Sequence, residues 1–130
     1  MPQAAASPFP QDNDEAPRVV PAARLHSDAE ALDAAHALAA DFAQGAAQRD
    51  RDRSLPWLEI ERYSASGLGG ITVPREYGGA QVSHVTLAEV FRIISAADPS
   101  LGQIPQNHFG SLNLLRQVGT PQQKRHYYEG

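Results

Sequence analysis

The chain has 130 residues, 42% hydrophobic and 20% charged, with a net charge of −4 and no cysteine. These totals suit one small globular domain, exclude disulfides, thiolate metal sites and thiol catalysis, and leave no broad cationic footprint for nucleic acid. No apolar run approaches the roughly 20 residues of a membrane span, and the start MPQAAASPFPQ lacks the basic and apolar parts of a secretory signal, so the cytoplasm is the default location.

Five of the ten prolines fall within Met1 to Ala23, a stretch rich in Ala, Asp and Gln with few large apolar residues. Such a segment cannot bury enough surface to offset its ordering entropy, so residues 1–23 read as a disordered tail and 24–130 as the folded domain. Ser27-Asp28-Ala29-Glu30 has the form of a capping box and opens a first helix, with Ala31, Ala35, Leu38, Phe42 and Ala46 at helical spacing on one face. The run Arg49-Asp50-Arg51-Asp52-Arg53 alternates in sign and reads as a solvated, self-paired surface rather than a phosphate site. A second helix is expected from Ser54, with Pro56 tolerated in its first turn, carrying Leu55, Trp57, Leu58 and Ile60 and stopping at Gly67.

Gly67 to Gly79, GLGGITVPREYGG, packs five glycines and a proline into 13 residues and cannot be a helix interior. Ile71-Thr72-Val73 is β-prone but short, Pro74 ends it, and Gly78-Gly79 calls for a positive φ or a close backbone approach. A third helix follows, with Leu87, Val90, Phe91 and Ile94 at the helical repeat, Thr86-x-x-Glu89 as a second capping box, and Glu89 and Arg92 placed to pair. Asp98-Pro99 ends it and starts a fourth helix running to about Val118, with Gly119 closing it. Thr120-Pro121 repeats that start signal for a last helix reaching Tyr127 and Tyr128. The expected fold is all-α, with about five helices and one glycine-rich connector.

The fourth helix contains an odd stretch, SLGQIPQNHFG, Ser100 to Gly110. Pro105 deprives the Leu101 carbonyl of its partner and should kink the helix, and Gly102 offers room for the distortion. His108 lies three residues on, sharing a face with Ile104, Ser111, Leu112 and Leu115. A histidine on a largely apolar face is more often a core residue with one satisfied hydrogen bond than a catalytic group, and both readings stay open. His26, His36, His84 and His126 are scattered without metal-ligand spacing, and no Ser/His/Asp set, phosphate loop or close carboxylate pair is present.

The connector pattern Gly67-Leu68-x-Gly70-Ile71-x-Val73-Pro74-x-x-Tyr77-Gly78-Gly79 resembles that of the N-terminal helical domain of acyl-CoA dehydrogenases. Leu87-Ala88-Glu89-Val90, then Ala97-Asp98-Pro99-Ser100-Leu101-Gly102, then Gly119-Thr120-Pro121-Gln122-Gln123-Lys124 continue the resemblance in order, from about Leu25 to Gly130. Within that superfamily, SLGQIPQNHF is similar to the sulfur-acquisition and desulfurisation branch, the dibenzothiophene-type flavin monooxygenases. The resemblance implies that His108 lines a flavin and substrate cavity walled by the kinked helix, orienting substrate or stabilising charge on the flavin through an imidazole N–H. Ile104, Asn107, Ser111 and Leu112 would be its substrate-pocket companions. It also implies FAD or FMN as cofactor in a full-length enzyme, a homo-oligomer, and no nucleic-acid or membrane partner. The β domain and C-terminal helical bundle that supply most flavin contacts in the family are absent, so this chain by itself is expected to be inactive and not to hold flavin tightly. Two rival functions are an acyl-CoA dehydrogenase acting on a thioester and a non-catalytic helical interaction module. Departures from the family pattern are Gln81, where glycine is common, and Gly69 and Gly110, where bulkier residues are common.

Overall fold

A computed structural model describes residues 21–129. These form seven α-helices: α1 (Asp28–Ala43), α2 (Ala46–Asp52), α3 (Trp57–Ala65), α4 (His84–Ala97), α5 (Pro99–Gln103), α6 (Gln106–Val118) and α7 (Pro121–Tyr128). The fold is all-α as expected, and no strand occurs among the described residues. Of the expected tail, residues 1–20 lie outside the described residues. Ala23 donates its N–H to the Ala65 carbonyl at 2.9 Å.

Ser27 caps α1, its Oγ accepting from Glu30 N at 3.1 Å. The Glu30 carboxylate reaches one residue further back than a capping box requires and accepts from His26 N at 2.8 Å. Ala31, Ala35 and Phe42 are fully buried along the face the spacing identified. That face does not continue to Ala46 in one helix, because the chain breaks at Gln44-Gly45 and restarts as α2.

The break is built around Arg49. Its guanidinium folds back over Gly45, where an added Cβ would lie 2.5 Å from Nη1, and Nη2 donates to the Phe42 carbonyl, which also accepts from Gly45 N at the end of α1. The same guanidinium pairs with Glu59 of α3 at 3.0 Å and with Asp98 at 2.8 Å. The charge run is therefore only partly the solvated surface its alternation suggests. Asp50, Arg51, Asp52 and Arg53 are exposed, whereas the Arg49 side chain is 16% exposed and ties three segments together.

α3 opens at Trp57 with Pro56 at its cap, later than Ser54, and among its expected apolar residues only Ile60 joins the core. Leu55, Trp57 and Leu58 are all more than half exposed. Gly67 ends the helix at φ +86°, as a left-handed stop should.

The connector then makes two 3₁₀ turns, Leu68–Gly70 and Arg75–Tyr77, and inserts Leu68, Ile71, Val73, Ala80 and Val82 into the interior. Ile71-Thr72-Val73 is not a strand. It exchanges only two backbone bonds with the returning chain, Val82 N to Ile71 O and Gln81 N to Val73 O. Gly78 takes φ +88°, and at Gly79 a Cβ would lie 2.0 Å from the Val73 carbonyl, so positive φ and close approach are divided between the two glycines.

α4 is capped by Ser83, not Thr86. The Ser83 hydroxyl accepts from Thr86 N at 3.2 Å, and Thr86, one turn inside, donates its own hydroxyl to Asp28 at the start of α1. α1 and α4 form the principal helix pair, with Val90, Ile93 and Ile94 buried between them and the connector. Asp98 ends α4 and caps α5, Oδ1 accepting from Ser100 N and Leu101 N. Gly102 serves a different purpose from the one expected. An added Cβ would lie 2.0 Å from Ser95 Oγ and 2.9 Å from Ser95 Cα, so the glycine lets α5 press against α4.

Candidate functional site

Pro105 does more than kink the fourth helix: it divides it into α5 and α6, with Ile104 and Pro105 forming the turn between them. Missing its N–H, Pro105 cannot continue the ladder to Leu101, but its carbonyl accepts from Phe109 N at 3.2 Å and so starts the new helix. Phe109 is buried and meets Phe91 edge-on, ring centroids 5.6 Å apart, which fixes the rotation of α6 about its axis.

With Phe109 turned inward, His108 is turned out. Its ring is exposed and stands edge-on to Phe109, centroids 5.3 Å apart, with Nε2 2.7 Å from the Gly69 carbonyl oxygen. His108 is thus not a core histidine. Because a carbonyl oxygen only accepts, Nε2 carries the proton, and the neutral ring keeps Nδ1 as an acceptor. The imidazole N–H expected to serve a ligand is already spent on the connector. What the neutral ring can offer is a lone pair on Nδ1, or a second N–H once the ring is protonated.

The other expected site residues are distributed around this ring. Asn107 and Ser111 are exposed neighbours on α6, with the Ser111 hydroxyl donating to the Asn107 carbonyl at 2.9 Å. Ile104 stands in the α5–α6 turn, half exposed. Leu112 turns toward the interior and packs on the core, and its carbonyl accepts the Tyr128 hydroxyl at 2.9 Å. Asn107, His108 and Ser111 therefore share one open face, while Leu112 supports it from below. At the break itself, the crevice between Tyr63, Phe91, Ile94 and Pro105 is packed too tightly to admit a water molecule.

An added Cβ at Gly70 or Gly110 would meet nothing within 4 Å, and one at Gly69 would make an ordinary 3.5 Å contact with His108 Nε2. Sequence reasoning marks Gly69 only as a departure and misses its carbonyl as the partner of His108. The contact bridges 39 positions, and no local signal carries it. Among the described residues no group of three or more His, Asp or Glu side chains comes together as a metal site, and no helix is long and apolar enough to cross a membrane.

Comparison with known proteins adds a family. Residues 27–130 match the family described as acyl-CoA dehydrogenase, N-terminal domain. The chain is 36% identical over 102 residues to a dibenzothiophene monooxygenase of Rhodococcus erythropolis, an alignment covering 78% of this chain and 24% of that protein. It is 31% identical over 85 residues to a 3-sulfinopropanoyl-CoA desulfinase of Cupriavidus necator, covering 65% of this chain and 22% of the relative. The chain thus spans about a quarter of the length of the curated relatives it matches. No solved structure matches.

Proposed function

The chain belongs to the acyl-CoA dehydrogenase family, whose N-terminal domain it carries, and on that premise we propose that it serves as this domain in a flavin-dependent monooxygenase acting on a small organosulfur compound. The observation that carries the reading is His108: an exposed imidazole, held by the Gly69 carbonyl, on a face otherwise lined by small and polar groups. A residue kept only for packing would be turned inward, as Phe109 is. The similarity to enzymes named dibenzothiophene monooxygenase supplies the substrate class.

The residues present fit one side of a flavin site. Asn107, His108 and Ser111 offer polar atoms along one edge, and the bare Gly70 and Gly110 positions leave a planar ring system space to approach. When bound, the flavin supplies the exchange of electrons between substrate and dioxygen. The chain's own contribution is positioning. The Gly69 carbonyl engages Nε2, which leaves Nδ1 to hydrogen-bond a substrate or the flavin. On this reading the remaining flavin contacts come from domains outside these 130 residues, and the enzyme works in the cytoplasm as a homo-oligomer.

The test uses the whole protein encoded by the reading frame that contains this chain. His108→Ala should lower flavin-dependent turnover on the order of 10²-fold, the usual loss for one such group, with little change in melting. His108→Gln, which keeps an N–H for Gly69 but has no titratable nitrogen, should melt as the wild type does and still lack the turnover. Normal turnover by the folded fraction of His108→Ala would overturn the assignment.

A second reading, oxidation of a coenzyme A thioester, is favoured by the similarity to a protein named 3-sulfinopropanoyl-CoA desulfinase. Reduction of the bound flavin by acyl-CoA thioesters without oxygen would support it over the first.

A further inference from the structure

At the opposite end of the connector from Gly69 lies an open depression of about 460 Å³, lined by Arg24, His26, Arg75, Gly78 and Gly79. Three basic residues line it in a chain whose net charge is −4. They come from two separate segments, the strand of chain entering α1 and the second 3₁₀ turn. The convergence is therefore made by folding and not by a run of basic sequence.

The local backbone is arranged to bring them together. Gly78, at φ +88°, gives Arg24 its place: an added Cβ would lie 2.7 Å from Arg24 Nη1. Arg75 is fixed through its backbone, its N–H donating to the side-chain Oε1 of Gln81 at 3.1 Å. Gln81 itself sits at φ +50°, a left-handed conformation that suits glycine and disfavours side chains. A non-glycine residue held there retains local strain, and its amide is spent on the turn that presents Arg75.

The donors available determine the ligand. The N–H groups of Gly78 and Gly79 are already bonded to the Arg75 and Pro74 carbonyls, so recognition falls to the side chains. Guanidinium forks bind paired oxygens, and two of them with an imidazole suit an anion bearing several oxygens and more than one negative charge. The nearby Asp28 does not occupy Arg75. Its carboxyl is held below the ordinary value first by the Thr86 hydroxyl, and the Arg75 charge contributes least among the causes.

We propose that this depression binds a tetrahedral oxyanion, a phosphate or sulfate group, through Arg24, Arg75 and His26. The site is independent of the His108 face and of the reaction assigned to it.

The test is calorimetric titration of the 130-residue chain at constant ionic strength with inorganic phosphate, inorganic sulfate and methyl phosphate. Saturable binding is expected for the inorganic ions. Tighter binding of methyl phosphate would identify an esterified ligand, and weaker binding a free ion. Arg75→Gln, an exposed substitution, should weaken binding about tenfold, the size of one lost charged hydrogen bond. Gln81→Gly relieves the left-handed backbone yet frees the Arg75 N–H, so it should also weaken binding while the chain stays folded. Arg51→Gln, an exposed arginine bonded to Gln48 in α2, should leave affinity unchanged. Absence of saturation, wild-type affinity in Arg75→Gln, or an equal loss in Arg51→Gln would each overturn the proposal.

Discussion

Arg49 and His108 each donate across the chain to a backbone carbonyl, Arg49 to Phe42 and His108 to Gly69. Their surroundings differ in kind. Arg49 is sheltered, its guanidinium shared among a helix end and two carboxylates, and Asp98 beneath it is 6% exposed with both oxygens engaged. His108 has one bond, one open nitrogen and exposure to water. The same type of contact therefore serves architecture on one side of the molecule and presentation on the other. What separates them is how many partners the group has left to satisfy.

That contrast makes graded predictions. The largest effect is expected from Asp98→Ala, which removes one of the two carboxylates paired with Arg49 and the α5 cap; it should cost about 2–4 kcal/mol in urea unfolding. Asp98→Asn keeps the cap and should cost less. A loss below about 1 kcal/mol would place the Arg49 cluster among ordinary surface pairs and erase the contrast.

Two glycines sharpen it further, because alanine should act in opposite directions on the two sides. Gly102→Ala drives a methyl into Ser95 and should destabilise by about 1–3 kcal/mol despite alanine's better helix propensity. Gly110→Ala, in α6 with open space around it, should stabilise by up to about 1 kcal/mol. Thermal melts of the two variants read both signs.

Next comes a proton-linked effect on the packed side. The Thr86 hydroxyl is the chief cause of the lowered Asp28 value, so the ionised carboxylate favours the folded state. That stability is present above the unfolded value, near 3.8, and is lost as pH falls through the lower folded one. Thr86→Val should flatten the acid limb of stability against pH below 3.8. An unchanged limb would show that the bond carries no linked stability. The smallest effect is expected from His108→Ala, within about 0.5 kcal/mol, as for an exposed side chain. If it melted like Asp98→Ala, the division between the two regions would collapse.

Signals that act within one helical turn were legible in the sequence. Ser27, Asp98-Pro99, Thr120-Pro121 and Gly67 all cap or stop helices where their chemistry places them, and Thr120 with Gln123 completes a full capping box. Where two such signals competed, the local argument failed: Ser83 and Thr86 both suit a cap, and the choice turned on Asp28, 58 positions away from Thr86. The split at Gly45 was hidden because its cause is the reach of Arg49 to Asp98, and charge alternation says nothing about distance in space. At the site, Pro105 marked a real disruption, the break between α5 and α6, and three positions on stands His108. Its outward direction came from the burial of its neighbour Phe109, which the shared-face argument did not weigh.

The attachment of α7 has a further consequence. This helix buries none of its residues and is held by Tyr128, whose ring tilts against Tyr77 at 5.2 Å and whose hydroxyl reaches Leu112. A segment anchored by one aromatic is the cheapest part of a fold to open, so its amides should lose hydrogen-exchange protection well before those of α1 and α4. Burial raises the Tyr128 phenol above its ordinary 10.0, so this latch is closed through neutral pH and weakens only as alkali rises through the folded value. The latch fastens on the carbonyl of Leu112, one turn beyond His108, so α7 rests on the same helix that presents the histidine.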